Sequence, residues 1–358
     1  MPEIWLNYGS TNTILDIKAE NLEQEIKVES NILDDSTIKE KLDSLDISKP
    51  FEIAVLNNTS MIHKIINTIF TKCEEKSVPI PKVFTNRNEV VMLKNSLPEG
   101  SLVLEFTNSD EIQSNLVFVA ETELDGLLGF ETVSSRLVKK YGKDIMKEIF
   151  NKRSNNRPTP GKINSSAHTI KKFMDEFEIS SIEITSTDKG IVGIHVGHPS
   201  SMDILPNYAK IITKKIDPTQ IIISSTGKYS SNDTLNKSLQ TIWNCSGAVQ
   251  DDGLLILTGE SGRGLGSLAL QQFVEKRLDI NDLKRTEGYI DGLENLFYLQ
   301  EEQKRIKIGL ISILPELYTK SLEIIPFDGI RYATEHILSN YGQNRKISVI
   351  SDGARILL

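Results

Sequence analysis

The sequence contains few cysteines and no long apolar run, and each shortage excludes a class of protein. The two cysteines, Cys73 and Cys245, lie far apart and outside any CxxC motif, so neither a disulfide framework nor a thiolate zinc site is indicated. Both are expected to be buried thiols. No run of about 18 apolar residues occurs, and no signal-type apolar stretch follows Met1, so we expect a cytoplasmic protein without a membrane partner.

The sequence also contains fewer basic than acidic residues. The chain has 41 Lys and Arg residues against 49 Asp and Glu residues, a formal net charge of -8 at pH 7. Nucleic-acid-binding proteins gain most of their affinity from Lys and Arg, so no nucleic-acid partner is predicted, although a local patch could still bind an anion. At 358 residues the chain exceeds one usual hydrophobic core, which predicts two domains.

The five histidines are not spaced as metal ligands. His63 and His336 fall in predicted helices, where a structural role is favoured over catalysis. His195 and His198 fit the end of a strand better than a zinc site, and His168 stands alone. No metal centre built from protein ligands alone is therefore predicted.

No nucleophile motif stands out, and GxSxG is absent. Glu131, Asp252 and Glu260 are unpaired candidates for acid–base catalysis, without a motif that requires it. Arg87 follows a predicted strand, where it could bind a carboxylate or phosphate; an exposed loop arginine is the alternative.

Strand, loop and helix patterns alternate along the chain, which predicts an α/β fold. In the first half, residues 3–9 and 13–17 alternate apolar and polar side chains as a hairpin, and the strand at 51–56 precedes an amphipathic helix from Met61 to Phe70. The other predicted strands are 82–85, 101–106, 115–120, 221–225, 253–258, 307–312 and 346–350, with a hairpin over 181–196. The other predicted helices are 36–45, 166–177, 234–245, 268–276, 293–305 and 330–341.

The loop over 258–267 follows a clear strand and opens a helix. Its glycines allow close backbone approach, Ser267 can cap the helix, and a helix N-terminus favours an anion. The spacing matches neither GxGxxG nor a P-loop, so a ligand loop and a tight turn without a ligand both stay open.

Proline residues interrupt the pattern of helices and strands between His198 and Asp217, where we expect the domain boundary. We therefore expect an N-terminal domain over 1–205 and a C-terminal domain over 206–358. The segment 151–162, rich in Asn, Arg, Pro and Gly, is the most linker-like part of the chain.

Several landmarks occur in the order seen in one enzyme family. They are 57–60 (NNTS), 196–199 (VGHP), 232–240 (NDTLNKSLQ), 248–256 (AVQDDGLLI), 264–267 (GLGS) and 350–353 (ISDG). In this order and pattern the chain resembles the LarA-like nickel-dependent lactate racemases over nearly its whole length. The resemblance implies two α/β domains with largely parallel sheets facing a central cleft. It also implies a nickel-pincer nucleotide in that cleft, which takes and returns a hydride from a 2-hydroxy acid.

The sequence departs from the family pattern at several matched positions. The family's Asp-His-Thr-Arg-Pro run corresponds to residues 57–61, where Thr59 is retained. The position of the family's catalytic His falls near 85–88, where this sequence has Arg87 instead. No Lys is in register over 129–136 to tether the pincer ring, and the Gly-His-Gly turn is Gly-Leu-Gly at 264–266. The family's Gln and Lys on one helix correspond to Lys237 and Gln240, with the two types exchanged.

Two functions therefore remain open: a racemase or epimerase of a small 2-hydroxy acid, or a divergent homologue that binds a nucleotide or carboxylate or catalyses another class of reaction. Under either, the resemblance places eight residues at the cleft. Arg87 and Lys237 are the candidate catalytic residues, expected to hold carboxylate or phosphate groups. The candidate cofactor-binding residues are Asn57, Thr59, Ser60, Gln240, Glu260 and Arg263.

Overall fold

A computed structural model describes residues 3–106, 115–153, 155–228, 230–279 and 287–358. The strands are β1 (Glu3–Tyr8), β2 (Thr11–Asp16), β3 (Leu22–Ile26), β4 (Glu52–Val55), β5 (Val83–Thr85), β6 (Val103–Glu105), β7 (Leu116–Glu121), β8 (Glu123–Asp125), β9 (Gly129–Glu131), β10 (Ser180–Ser186), β11 (Ile191–Gly197), β12 (Thr219–Ser225), β13 (Val249–Thr258), β14 (Lys307–Ile311), β15 (Ile325–Phe327) and β16 (Ile347–Ile350). The α-helices are α1 (Asp35–Lys41), α2 (Ser60–Glu75), α3 (Val90–Ser96), α4 (Val133–Tyr141), α5 (Lys143–Asn151), α6 (Ser165–Met174), α7 (Leu205–Ile212), α8 (Ser230–Asp233), α9 (Leu235–Ser238), α10 (Gln240–Cys245), α11 (Leu268–Val274), α12 (Leu293–Glu302), α13 (Glu316–Ser321) and α14 (Ile330–Tyr341).

The first sheet is formed by strands from the first half of the chain. Its order is β11-β10-β7-β4-β5-β6, and its strands are parallel except for β11, the antiparallel hairpin partner of β10. Apolar side chains of α1, α2 and α3 cover one face, and those of α4, α5 and α6 cover the other. Burial on both faces explains why β4 and β7 are continuous apolar runs instead of alternating ones.

The second sheet has the order β15-β14-β13-β12-β16-β3, with every pair parallel. Helices α9 to α12 contribute to the core on one face, while α14 and the β1–β2 hairpin cover the other. The predicted α/β class with largely parallel sheets is confirmed by both sheets. Both cysteines are buried and free, as expected.

Most predicted elements form close to their expected positions, and α14 spans residues 330–341 as predicted. The predicted helix 234–245 is wrong as one element: it forms as α9 and α10, because the Ile242 amide bonds to Leu239, only three residues back. Strands β3, β8, β9 and β15 and helices α3, α4, α5, α7, α8 and α13 were not predicted. No helix of the described ranges is long and apolar enough to span a membrane.

The first three strands associate with the sheet of the second half: β3 is one of its strands, and the separate β1–β2 hairpin packs on it. Strand β3 pairs with β16, and Ile4, Leu6 and Leu15 pack with the core residues of β12 and β13. The division into 1–205 and 206–358 stays a prediction as a domain boundary, but it assigns β1, β2 and β3 to the half with which they do not pack. One hydrophobic cluster includes residues from both halves, with the Phe150 and Phe297 rings 5.9 Å apart.

Candidate functional site

The order of strands leaves a crevice at the carboxyl ends of each sheet. In the first sheet the chain moves outward from β4 to β5 and β6, then returns to the other side of β4 with β7. In the second it moves from β12 to β13, β14 and β15, then returns to the other side of β12 with β16. Loops diverge where the strand order reverses, which is where open α/β sheets bind ligands.

An ion pair joins the two crevices. Arg355, just after β16, donates from Nη2 to the Glu121 carboxylate at the end of β7, at 2.9 Å, and also contacts Asp352 at 3.3 Å. Burial opposes the charge on Arg355, but Glu121 and Asp352 outweigh it and raise its pKa. The loops after β7 and β16 are therefore held together by a charged contact with little exposure to solvent.

Asn57 and Thr59 have structural partners at the first crevice. The Asn57 amide donates to the Glu121 carbonyl at 3.0 Å and accepts from the Glu121 N–H at 2.9 Å, which ties the end of β4 to the end of β7. The Thr59 hydroxyl caps α2 by accepting from the Ile62 N–H and donates to the Glu121 carboxylate at 2.5 Å. Ser60 is the first residue of α2.

A cluster of buried charges lies beside this contact. Arg136 contacts Glu123 at 2.7 Å and Glu131 at 3.3 Å, and Lys139 contacts Glu131 at 3.1 Å. Lys237, from the second half of the chain, contacts Glu131 at 2.8 Å and Glu123 at 3.3 Å. We call these five residues the charge cluster. Its ion pairs connect the two halves of the molecule.

Every member of the charge cluster is held in its charged form. Burial alone would raise the pKa of Glu131, but Arg136, Lys139 and Lys237 lower it well below its usual range. Burial would lower the pKa of Lys237, but Glu123 and Glu131 raise it. The cluster therefore resists protonation changes near neutral pH, and Lys237 is a poor proton donor or acceptor there.

Two cavities lie along the cleft. The larger, which we call the cleft cavity, has a volume of about 360 Å³. It is lined by Gly9, Ser10, Asn12, Asn58, Glu89, Met92, Lys228, Asp233, Glu260 and Arg263. The smaller, of about 30 Å³, is lined by residues that include Glu121, Lys237, Gln240 and Arg355. Lys228 lines both cavities, so it stands where they adjoin.

The structure distributes the eight sequence-predicted residues among different places. Glu260 and Arg263 line the cleft cavity, whereas Lys237 and Gln240 line the smaller cavity. Arg87 is exposed in the short turn Arg87–Glu89 and lines neither of these two cavities. The structure thus divides four of these residues between two adjoining cavities and places Arg87 outside both.

Two of these side chains are held by neighbours. Gln240 donates to Asn295 at 3.0 Å and accepts from the Gly126 N–H at 3.3 Å. Arg263 contacts Asp233 at 3.1 Å and donates to the Asn88 carbonyl at 3.2 Å, a contact from the second half to the first. Arg263 thereby helps to close one side of the cleft cavity.

The backbone of the 258–267 loop is bonded within the protein. The Glu260 N–H donates to the Asn232 side chain at 2.6 Å, the Ser261 N–H to the Asn232 carbonyl at 3.0 Å, and the Arg263 N–H to Asp233 at 2.9 Å. Ser267 caps α11, as predicted. These amides already have partners, which favours the tight-turn alternative for the backbone. The Glu260 and Arg263 side chains still line the cleft cavity.

Sequence reasoning missed the residues that connect the two crevices. Glu121, Glu123 and Asp125 alternate along 121–125, a period of two that places their side chains on one side of an extended segment. That alternation was a usable signal. Lys228 and Arg355 also follow strands, but this signal, which selected Arg87, does not distinguish a ligand-binding cation from an exposed loop residue.

The histidines give the cleft no set of metal ligands. His63 is half-buried, which lowers its pKa, and its Nε2 contacts the Asn58 side chain at 2.5 Å. His198 contacts the Phe177 carbonyl at 2.9 Å, away from both cavities. Across the described ranges, no group of three or more His, Cys, Asp or Glu side chains is placed to hold a metal ion.

Glu183 makes stability depend on pH. Burial raises the pKa of its carboxyl from 4.5 to about 7, opposed by hydrogen bonds from the Val133 N–H and the Thr122 hydroxyl. Between these values the folded protein holds a proton that the unfolded chain has released, so stability falls as pH rises through this window.

We expect Glu183→Gln to reduce the loss of stability between about pH 4.5 and 7, measured by urea denaturation. An unchanged loss would contradict this, and the exposed Glu178→Gln is the control.

Comparison with solved structures identifies the fold. The lactate racemase apoprotein from Thermoanaerobacterium thermosaccharolyticum superposes with a TM-score of 0.70 at 15% sequence identity, over 99% of this chain and 99% of that chain. A protein from Thermotoga maritima superposes with a TM-score of 0.58 at 10% identity, over 91% of this chain and 98% of that chain. No protein-family model and no curated protein matches the sequence. The chain therefore has the fold of this lactate racemase.

Proposed function

We propose that the cleft cavity binds a small polar carboxylate, with 2-hydroxy acids as the first class to test, and that binding does not depend on a nickel-pincer nucleotide. The observation that carries this proposal is the position of Lys228. It follows β12, next to the point where the strand order of the second sheet reverses, and it lines both cavities.

The chemistry of the cavity wall suits such a ligand. Among the described residues, Lys228 has no ion-pair or side-chain hydrogen-bond partner, so its ammonium group is available for a carboxylate. The carboxyl group of Glu260 and the amide of Asn58 can bond to hydroxyl groups of a ligand. A volume of about 360 Å³ falls in the lower part of the range of small-molecule sites.

The residues present do not fit the cofactor that the resemblance implies. Lys237, at a matched position, is held by Glu123 and Glu131, and the smaller cavity it lines has room for about one water. No histidine lines either cavity. These observations argue against a bound nickel-pincer nucleotide, and we derive no reaction step from one.

A 2-hydroxy acid racemase or epimerase that uses the cofactor is the second candidate. It is favoured by the superposition with lactate racemase over 99% of both chains. The test is the nickel content of the protein purified after co-expression with a working pincer-cofactor pathway. About one nickel per chain would favour this candidate over ours, and none would support ours.

Lys228→Met tests the carboxylate site. The substitution removes the charge without adding bulk, and we expect the affinity for lactate or malate to fall at least about tenfold, the usual effect of losing one charge-assisted hydrogen bond. Isothermal titration at low ionic strength measures it. Lys94→Met, which changes an exposed lysine on α3, is the control and should leave the affinity unchanged. Equal affinities for the two variants would remove Lys228 from the site.

A further inference from the structure

A second large cavity lies away from the cleft. Its volume is about 370 Å³, and it is bounded by α5, residues 152–153 and 155–166, α6 and Tyr298 of α12. None of its lining residues lines the cleft cavity or the smaller cavity beside it. We call it the basic cavity.

The wall of the basic cavity carries four cationic side chains and one acidic one, in a protein whose formal net charge is -8. Lys152 pairs with the acidic residue, Glu148, at 2.7 Å. Arg157 and Lys162 have no ion-pair partner within the described part of the chain. The fourth cation is Arg153. Such an excess of positive charge favours an anion.

Arg153 is held in place before any ligand arrives. Its guanidinium group stacks on the Phe150 ring at 4.1 Å and on the Phe297 ring at 3.9 Å, and it donates to the Phe150 carbonyl at 2.5 Å. A fixed planar guanidinium loses little conformational entropy when it binds an oxyanion, which is an advantage over a flexible surface lysine.

Tyr298 supplies an independent indication of a ligand. The residue lines the basic cavity and is only 2% exposed, yet its hydroxyl has no hydrogen-bond partner among the described residues. Burial raises its pKa, so the hydroxyl stays protonated and can donate. The hydroxyl is not among the fully enclosed atoms that lack a partner, so it reaches the cavity, where a ligand oxygen would accept its hydrogen bond.

The N-terminus of α6 adds to the positive potential of the basic cavity. Asn164, Ser165 and Ser166 line it at the start of this ten-residue helix. The Asn164 side chain accepts from the Ser166 N–H at 3.1 Å, so the first turn is already capped. The helix dipole and the Ser165 hydroxyl can still act on an anion placed there.

We propose that the basic cavity binds the phosphate group of a small phosphorylated molecule no larger than a mononucleotide. Four cations, of which Lys152 is paired with a carboxylate of the wall, and the Tyr298 hydroxyl donor match a doubly charged group with several oxygens better than they match a single carboxylate. The cavity volume limits the rest of the ligand. This site is separate from the proposed carboxylate site, and either can exist without the other.

Isothermal titration of the full chain with pyrophosphate and AMP, at constant ionic strength, tests the proposal. We expect saturable binding of at least one of the two and no comparable binding of succinate. Arg157→Gln combined with Lys162→Gln should weaken binding at least about tenfold, because two exposed cations are lost without disturbing the core. Tyr298→Phe should weaken it several-fold through loss of a single donor.

Lys172→Gln is the matched control, since Lys172 is an exposed lysine of α6 that does not line the cavity. It should bind as the unchanged protein does. Absence of saturable binding, equal binding of succinate, or an equal effect of the control and the double substitution would each overturn the proposal. Lys228→Met, which tests the cleft, should leave pyrophosphate and AMP binding unchanged, so the two proposals can fail separately.

Discussion

Replacing Arg136 with methionine is expected to lower the free energy of unfolding by about 3–5 kcal/mol, the usual cost of leaving buried charges without their partner. The Arg136 side chain is 10% exposed and contacts both Glu123 and Glu131. Methionine fills much of the same volume but returns no charge. Glu123 and Glu131 then repel each other with one cation fewer beside them, and the contacts of Lys237 and Lys139 offset part of this repulsion.

Urea denaturation at neutral pH measures this loss. Arg331→Met is the control: Arg331 forms an ion pair with Glu335 on α14, but its side chain is 86% exposed, so solvent screens the pair and the loss should be far smaller than for Arg136→Met. Similar losses for the two variants would show that the charge cluster contributes no more than a surface ion pair.

Gly129→Ala should destabilise the protein by about 2–5 kcal/mol, the sum of a left-handed backbone cost and a steric clash. Gly129 has φ +82°, and a Cβ atom there would lie 1.9 Å from the backbone oxygen of Lys162. Because that oxygen belongs to the main chain, no side-chain rotation relieves the contact. The strand β9 or the 159–162 segment has to move, and the hydrogen bond from the Gly161 N–H to the Gly129 carbonyl would be strained.

Gly100→Ala separates the two contributions. Gly100 has a similar φ of +87°, but no described atom lies within 4 Å of the position that a Cβ atom would take there. We expect it to cost only about 1–2 kcal/mol, the backbone cost alone. Thermal or urea denaturation of both variants gives the difference, and equal losses would show that the approach of Lys162 to Gly129 is not a tight constraint.

The fold could be predicted where local pattern and burial agree. Helix α14 follows from the spacing of its apolar residues, and strands β12 and β14 follow from continuous apolar runs, which are typical of buried parallel strands. Strand β3 could not be found this way. Its five residues, Leu22–Ile26, include only two apolar side chains, and β16, its one sheet partner among the described strands, lies at the other end of the sequence.

The site was predictable only in part. Glu260 and Arg263 line the cleft cavity, and a Gly-containing loop after a strand was sufficient reason to select them. The charge cluster depends on side chains from three separate segments, so no single window of sequence contains it. The basic cavity shows the same limit. The segment 151–162 looked like a linker, and only the folded structure places its charged side chains beside α6 and Tyr298, where they line one cavity.

The pairing of β3 with β16 sets an order for folding during synthesis. Every strand of the first sheet lies between residues 52 and 197, so that sheet can be completed while the ribosome is still making the rest. Strand β3 leaves the ribosome early but waits roughly tens of seconds for residues 347–350. Until then one side of β12 has no neighbour. A chain that ends before β16 would keep two uncovered strands, which makes incomplete chains the form most prone to aggregate.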